Sequence, residues 1–344
     1  QRDADLQGLF LRPLVRIAGR LSLALTIVFA IIAAAAYFYI EDRYTAPGAL
    51  ASASQLVIEK GSGVRQIAEQ LHRRGIIAHP VIFYLGLRYD GLASGLKAGE
   101  FAFPAAISMR EAARLIVSGK TVLRRLTIAE GLTTQQAVAL VEAAEGLVGM
   151  VSGETVPEGA LLPETYFYSW GDRRAELIER MRAAMTQTIA RLWEQRDRRI
   201  TLATPWEAVI LASVIEKETG VAVERSQISS VFHNRLQRRM RLQSDPTVVY
   251  ALVGAAGALG RELTRADLAT VSPFNTYIIN GLPPGPIANP GRAAIEASLR
   301  PADGKDLYFV ADGSGGHAFA RTLGEHNRNV ARFRRLQRER KITP

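Results

Sequence analysis

The sequence contains no cysteine among its 344 residues and only five histidines. The lack of cysteine excludes a disulfide framework, a thiolate nucleophile and a cysteine-ligated zinc site. The five histidines do not have the HExxH spacing of a zinc hydrolase. A GxSxG nucleophile turn, a P-loop and a dinucleotide fingerprint are missing as well, so we expect neither a metal nor a cofactor.

Acidic residues are fewer than basic ones, since 33 Asp and Glu stand against 43 Lys and Arg, and the net charge is +10. A basic balance suggests an anionic partner. The basic residues are concentrated before residue 21, between residues 235 and 241, and in a tail at 325–341 that we predict as a solvated basic helix. No aromatic-interleaved basic strand or recognition helix accompanies them, so we expect no nucleic-acid partner.

One long uncharged run is present at residues 21–40, LSLALTIVFAIIAAAAYFYI. Its length matches the ~20 residues that cross a bilayer core as a helix. Arg12, Arg16 and Arg20 precede it, which by the positive-inside rule predicts a cytoplasmic N-terminus at 1–20 and an external chain at 41–344. A cleaved signal peptide is the alternative, but its apolar region would be only about 7–15 residues long. We therefore predict a single-pass membrane anchor with the remainder of the chain outside, which in a bacterium means an anchor in the inner membrane and a periplasmic remainder.

The patterning after the anchor predicts an α+β protein of several parts. Residues 44–54 are small, polar and proline-containing, which indicates a linker that we assign to 41–54. Residues 55–120 show strand, helix, helix, strand and helix periodicities, which indicates a small α/β module. Residues 121–344 mix short strands with amphipathic helices, and we interpret them as a C-terminal mixed α+β domain.

A strong helix start stands at Thr204, with Pro205 in the first turn and Glu207 at the capping-box position. Glu218 then follows the apolar residues Leu211, Val214 and Ile215 at helical spacing. A carboxyl on an inward stripe has a raised pKa, as a general acid requires. Glu216 points about 200° away around the helix, so the two glutamates are not a hydrolase pair. The pattern alone leaves open that both lie at a frayed, solvated helix end.

Several longer motifs carry a family resemblance: LASVIEKETG, SVFHNRLQ, LQSDPTVVYAL, SPFNTYIINGLPPGPIANPG and LYFVADGSGGHAFARTLGEHN. Together with the earlier KGSG, KAGEF, EGLTTQQ and LPETY segments, they resemble the endolytic murein transglycosylase family (YceG-like, MltG type) over roughly residues 55–335. The resemblance implies an anchor, a LysM-like module at 55–120 and a YceG-like catalytic domain at 121–344.

The resemblance also implies a reaction, because the glutamate before Thr in the EKET motif is the family's catalytic residue and is Glu218 here. The implied enzyme is a lytic transglycosylase that cleaves the MurNAc–GlcNAc β-1,4 bond within peptidoglycan strands. It leaves 1,6-anhydroMurNAc ends and ends the growth of nascent strands. Glycan-polymerising penicillin-binding proteins are the implied partners.

Other residues are predicted to contact the glycan. The substrate-binding candidates are Gln243, Ser244, Asp245, Asn275, Tyr277, Glu164 and Tyr166, and Asp245 could instead cap the helix that follows it. Residues 282–290, with four prolines, could form a wall of the groove or a structural turn. Two other functions stay open: a non-catalytic, membrane-anchored peptidoglycan-binding scaffold, and a muramidase that uses water.

Overall fold

The computed structural model describes residues 2–151 and 156–342, and the side chains from position 19 to 339 outside that gap. Gln1, residues 152–155 and residues 343–344, which the predicted domain ranges include, lie outside the described residues, as do the side chains of Arg12, Arg16 and Lys341. The chain forms two compact units, Gln1–Val122 and Leu123–Pro344. Their mixture of helices and short antiparallel strands confirms the predicted α+β class.

The first unit begins with α1 (Arg2–Thr45), a helix that contains the uncharged run. Its part Gly19–Thr45 is long and apolar enough to cross a membrane by length and composition. The helix continues through residues 41–45, where the sequence predicts the start of a linker. The reason is packing, since Tyr44 is only 1% exposed in the core of the first unit. Glu41 also pairs with Arg110 at 2.9 Å.

The rest of the first unit follows the predicted order of elements: β1 (Ser54–Ile58), α2 (Val64–Arg73), α3 (Pro80–Tyr89), β2 (Gly99–Phe103) and α4 (Met109–Ser118). β1 and β2 are antiparallel, with Leu56 opposite Phe101. Alternate residues of β2 point to opposite faces, and Phe101 and Phe103 enter a core shared with the helices. A capping box of Ser108 and Glu111 is present at the start of α4.

The α-helices and strands of the second unit are β3 (Arg124–Thr127), α5 (Thr134–Ala143), β4 (Thr165–Tyr168), α6 (Arg174–Glu194), α7 (Pro205–Glu218), α8 (Arg225–Gln237), α9 (Asp245–Val253), α10 (Arg265–Leu268), α11 (Arg292–Leu299), β5 (Tyr308–Ala311), β6 (His317–Ala320) and α12 (Leu323–Ile342). Two short 3-10 helices, Ala222–Glu224 and Gly254–Ala256, precede α8 and follow α9. β3 pairs with β4 and β5 with β6, each antiparallel. The β5–β6 hairpin has no counterpart in the sequence-based prediction.

Helix α7 lies at the centre of the second unit, and its residues 208–215 are all buried. It packs against α6, α8, α9 and α11. Its start agrees with the prediction in part, because the Thr204 hydroxyl accepts a hydrogen bond from the Glu207 amide at 3.2 Å. The Glu207 carboxylate, however, accepts from the Ala203 amide rather than closing a capping box on Thr204. The helix ends at Glu218, and Thr219 is already extended.

Candidate active site

Glu218, the last residue of α7, lines a cleft of about 450 Å³. Residues from α8, the segment at 242–245 and the turn at 277 form one side of this cleft. The β5–β6 hairpin and the first two turns of α12 form the other side. The buried helix therefore delivers a carboxyl group to a space large enough for a sugar.

Ser244 holds the Glu218 carboxyl in place, since its hydroxyl donates to Glu218 Oε2 at 2.9 Å. Ser244 is itself 1% exposed, and its amide donates to Thr276 Oγ1 at 3.0 Å. Burial raises the pKa of Glu218 from its ordinary 4.5 to about 7, against the lowering effect of the Ser244 hydrogen bond. The charge of Asp245 raises this pKa further and that of Arg235 lowers it. Near neutral pH the group is thus close to half protonated.

Asp245 and Tyr277 form a second polar pair in the cleft, with the phenol donating to Asp245 Oδ1 at 2.6 Å. Burial, followed by the hydrogen bond to Asp245, raises the pKa of the Tyr277 phenol, which therefore keeps its proton. Asp245 is the first residue of α9 and Ser244 occupies the N-cap position, where no side-chain cap bond is made. The alternative of Asp245 as a helix cap is not what the structure shows.

Arg235, which the sequence pattern did not mark as a site residue, supplies the positive charge of the cleft. It is 7% exposed and donates from Nε to the Leu307 carbonyl at 2.6 Å and from Nη1 to the Leu242 carbonyl at 2.7 Å. Its guanidinium lies 5.3 Å from the centre of the Tyr308 ring. Arg235 thus connects α8 to the segments that contain Leu242 and Leu307, and it places a positive charge in the cleft.

The hairpin and α12 contribute an aromatic surface to the same cleft. The rings of Tyr308 and His326 stack with 5.2 Å between their centroids, and both residues line the cavity. His317 lines it too, and its Nδ1 lies 2.7 Å from Glu224. These residues belong to the LYFVADGSGGHAFARTLGEHN segment, so the only sequence signal for them was that segment's resemblance to the family.

The predicted residues Gln243 and Asn275 differ in their positions. Gln243 lines the cleft and has a φ of 50°. Its backbone N–H donates a hydrogen bond to the Thr276 carbonyl at 3.1 Å. Asn275 is fully buried, and its side-chain amide donates to the carbonyls of Leu268 and Thr270 at 3.1 and 2.8 Å. Its Oδ1 accepts from the Tyr277 amide at 2.9 Å, so Asn275 shapes the turn that presents Tyr277 rather than facing the cavity.

Glu164 and Tyr166, the two remaining candidates, lie at the β3–β4 pair and do not line the Glu218 cleft. The Tyr166 hydroxyl donates to the Leu162 carbonyl at 2.7 Å, and burial raises the pKa of this phenol to about 12. The Glu164 side chain is exposed, and its backbone carbonyl accepts from the Ile128 amide. The structure therefore gives both residues a place in the fold and no contact with the catalytic candidate.

Glu216, two residues before Glu218, is buried with 6% of its side chain exposed. Its Oε2 accepts a hydrogen bond from the Gly291 amide at 2.9 Å, at the N-cap of α11. Arg225 lies 3.7 Å from Glu216 and also 3.7 Å from Glu130. As the sequence predicts, Glu216 does not face the same space as Glu218, and it fastens the last turn of α7 to α11.

A second cavity of about 290 Å³ also borders Asp245, and no residue of the β5–β6 hairpin lines it. Its lining includes Lys217, Tyr250 and Ile287. Ile287 belongs to the proline-containing segment at 282–290, and its amide donates to the buried Ser213 hydroxyl at 3.0 Å. That segment is therefore both a structural turn and part of a cavity wall. Asp245 thus lines both cavities, whereas Glu218 lines only the first.

A carboxyl with a pKa near 7, held by one hydroxyl donor in an open cleft, is able to act as an acid and as a base near neutral pH. The chain belongs to the YceG-like family, whose sequence model matches residues 56–332. The endolytic murein transglycosylase of Bacillus subtilis (strain 168) is 30% identical over 306 residues, covering 80% of this chain and 83% of the relative. That of Streptococcus pneumoniae serotype 2 is 30% identical over 322 residues, and the match covers 80% of this chain but only 57% of the pneumococcal protein.

The fold has a counterpart among solved structures, a yceG-like protein from Listeria monocytogenes. The two chains share 32% sequence identity and superpose with a TM-score of 0.51. The match covers 80% of this chain and 98% of the Listeria protein. Both comparisons thus extend over most of the chain.

Proposed function

We propose that this protein is an endolytic peptidoglycan lytic transglycosylase with Glu218 as its catalytic acid and base. The observation that carries the proposal is the geometry of Glu218, which is partly buried, faces a sugar-sized cleft, and has a pKa of about 7. The names of the B. subtilis and S. pneumoniae relatives support the same reaction class. The substrate would be the MurNAc–GlcNAc β-1,4 linkage inside a glycan strand.

The reaction needs one carboxyl used twice. Protonated Glu218 gives its proton to the glycosidic oxygen as the bond from that oxygen to C1 of MurNAc breaks. The C6 hydroxyl of the same MurNAc then forms a bond to C1 while its proton passes to the Glu218 carboxylate. The product is a 1,6-anhydro end, no water is consumed, and Glu218 is protonated again. A pKa near the working pH suits a group that must act as acid and base in one turnover.

The groups around Glu218 fit the charge that develops during this reaction. Positive charge appears near C1 as the glycosidic bond breaks, and Asp245 is a carboxylate in the same cleft. The hydrogen bond from Tyr277 fixes the direction of that carboxylate. Preorganised charge of this kind stabilises a transition state because it needs no rearrangement during the reaction.

Cleavage inside a strand requires that sugars be held on both sides of the broken bond. The cavity at the β5–β6 hairpin and the second cavity, which share Asp245 in their linings, together offer such space. We assign the strand to a path through both cavities, past Glu218. Gln243, Ser244, Asp245 and Tyr277 stay in the proposal as substrate-proximal residues, and Arg235 and Tyr308 join them.

Asp245 also favours one competing function, a muramidase that uses water. In a hydrolase a second carboxylate activates water or stabilises the cation, and Asp245 stands where such a group could act. The two reactions differ in their products. Hydrolysis leaves a reducing end, whereas the intramolecular reaction leaves an anhydro end that is lighter by one water molecule.

The layout proposed for the whole chain follows the apolar helix and the family resemblance. α1 would be a single-pass anchor in a bacterial inner membrane, with a cytoplasmic N-terminus and residues 41–344 in the periplasm. The β1–α2–α3–β2 order supports a LysM-like module in the first unit. Glycan-polymerising penicillin-binding proteins are proposed partners on the resemblance alone.

The test is mass spectrometry of purified glycan strands digested with the full chain in detergent, beside Glu218→Gln. We expect anhydro-ended fragments from the unaltered protein and none from the variant. Glu194→Gln, an exposed glutamate on α6, is the matched control and should cleave normally. Reducing-end fragments would establish the hydrolase instead. Strand binding without cleavage by any of the three proteins would establish the scaffold.

A further inference from the structure

Helix α3 of the first unit exposes a row of large apolar side chains. Val81, Leu85 and Tyr89 are 70%, 42% and 66% exposed and follow one another at i, i+4 and i+8. The opposite face of the helix, with Phe83 and Leu87, is fully buried in the core. A continuous exposed apolar row of this kind, here named the α3 row, marks an interaction surface.

The α3 row is continuous with the apolar helix α1. The Tyr89 and Tyr37 hydroxyls are 3.1 Å apart, and their rings meet edge to face at 5.8 Å. Tyr37 belongs to the uncharged run at 21–40, at its outer end. Tyr89 therefore lies at the same depth as the aromatic residues expected at the membrane–water interface.

The C-terminal end of α1 packs tightly against the rest of the first unit, so the two are not joined by a hinge. The Tyr44 ring fills the space that a Cβ on Gly86 of α3 would occupy. Arg110 pairs with Glu41 of α1 at 2.9 Å and with Asp90, just after α3, at 3.2 Å. Because the helix continues unbroken to Thr45, the direction of α1 fixes the direction of α3.

Basic residues flank the α3 row. The guanidinium groups of Arg65 and Arg88 lie 5.6 and 6.0 Å from the centre of the Tyr84 ring. Neither forms an ion pair with a carboxylate in the described part of the chain. A row of apolar side chains bordered by Tyr and Arg matches a surface that enters the headgroup region, where arginines reach lipid phosphates.

We propose that the C-terminal end of α3 enters the outer headgroup region of the same bilayer that α1 crosses, with Tyr89 and Leu85 among the headgroups and Arg65 and Arg88 on the phosphates of anionic lipids. The inference rests on the proposed membrane anchoring of α1. Tyr89 is the deepest residue of the row because it touches Tyr37. Val81, about 12 Å further along the helix, is the shallowest.

The chain contains no cysteine, so single cysteines can report on each position without background. The full chain would be placed in nanodiscs of phosphatidylcholine and phosphatidylglycerol, with a fluorophore at Tyr89→Cys, Leu85→Cys or Val81→Cys. Ala102→Cys, exposed on the face of β2 opposite Phe101 and Phe103, is the reference. Ile31→Cys, inside the uncharged run, reports the insertion of α1.

Lipid-borne nitroxides are expected to quench the labels at 89 and 85 several-fold more than the label at 102, with the label at 81 between them. Equal quenching at 85, 89 and 102, while the label at 31 is quenched, would overturn the inference and leave the anchor intact. An unquenched label at 31 would overturn the anchor and the inference together. Replacing phosphatidylglycerol by phosphatidylcholine should weaken quenching at 85, and an unchanged value would refute the assigned role of the two arginines.

Discussion

Replacing Ser244 with alanine should move the pH profile of glycan cleavage to higher pH. The Ser244 hydroxyl donates to the Glu218 carboxyl at 2.9 Å, and this bond favours the ionised form. Without it the carboxylate loses a donor inside a partly buried site, so the pKa of Glu218 rises above its present value of about 7. Because Glu218 must be protonated to act as an acid, the alkaline limb of the profile follows that pKa.

The size of the shift can be worked from the hydrogen bond. A bond to a charged group contributes about 1.5–3 kcal/mol, and one pKa unit corresponds to about 1.4 kcal/mol. The bond alone would therefore give a rise of about one to two units. Water can enter the open cleft and replace part of the bond, so we expect a shift of about one unit.

The assay is kcat/KM for anhydro-end formation from pH 5 to 9, since kcat/KM reports the ionisation of the free enzyme. Ser229→Ala is the matched control, because Ser229 is also fully buried in the second unit and its hydroxyl has no hydrogen-bond partner among the described residues. Its profile should stay in place. An unmoved alkaline limb in Ser244→Ala, or an equal movement in both variants, would refute the assigned role of the Ser244 bond.

Three further predictions follow from the same site. Glu216→Gln should lower kcat about tenfold with little change in KM, because the last turn of α7 loses its charged attachment to Arg225. Tyr277→Phe should raise the alkaline limb by less than one unit, because Asp245 loses the donor that offsets its charge. Glu218→Gln should be more stable than the unaltered protein by about 2 kcal/mol above pH 7, measured by urea unfolding, after allowance for the partial exposure of Glu218. This gain should disappear below pH 4.5, where Glu218 is protonated in both the folded and the unfolded chain.

Each of these predictions has a control. Glu194→Gln should keep the kcat of the unaltered protein, and a tenfold higher KM in Glu216→Gln would contradict a positioning role. Tyr168→Phe also removes a phenol, whose bond goes to the Glu145 carbonyl at 2.9 Å, and it should leave the pH profile unchanged. A stability difference for Glu218→Gln that is the same at pH 4 and pH 8 would show that its carboxyl has an ordinary pKa.

The central part of the site follows from local sequence pattern. The start at Thr204 and the apolar spacing before Glu218 predict a helix that carries a carboxyl into a low-dielectric surrounding, and α7 has this form. The partners of Glu218 do not follow from the pattern. Ser244 lies just before α9 and Arg235 lies on α8, and no periodicity links their positions to residue 218. Asn275 was predicted to contact the sugar, but its side-chain amide bonds to the backbone instead. An amide can make either contact, and the sequence pattern does not show which one the fold allows.

Tertiary packing also determines where some helices and strands begin and end, and composition alone predicts these boundaries wrongly. The uncharged run ends at residue 40, yet α1 continues to Thr45 because Tyr44 packs into the core of the first unit. The β5–β6 hairpin has strands of four residues that are mostly of intermediate exposure, so it lacks the alternation that marks a half-buried strand. Its shape comes from packing against α12 and α8.

The pKa of Glu218, about 7, results from opposing effects at the end of α7. A helix C-terminus carries partial negative charge, which together with burial and Asp245 favours the protonated acid. These influences alone would give a group that holds its proton too well to release it to a glycosidic oxygen. The Ser244 hydroxyl and the Arg235 cation act in the opposite direction and favour the carboxylate. In the proposed reaction a single group must first give and then take a proton, which requires both sets of neighbours. The proposal therefore depends on Ser244 and Arg235 as much as on the burial of α7.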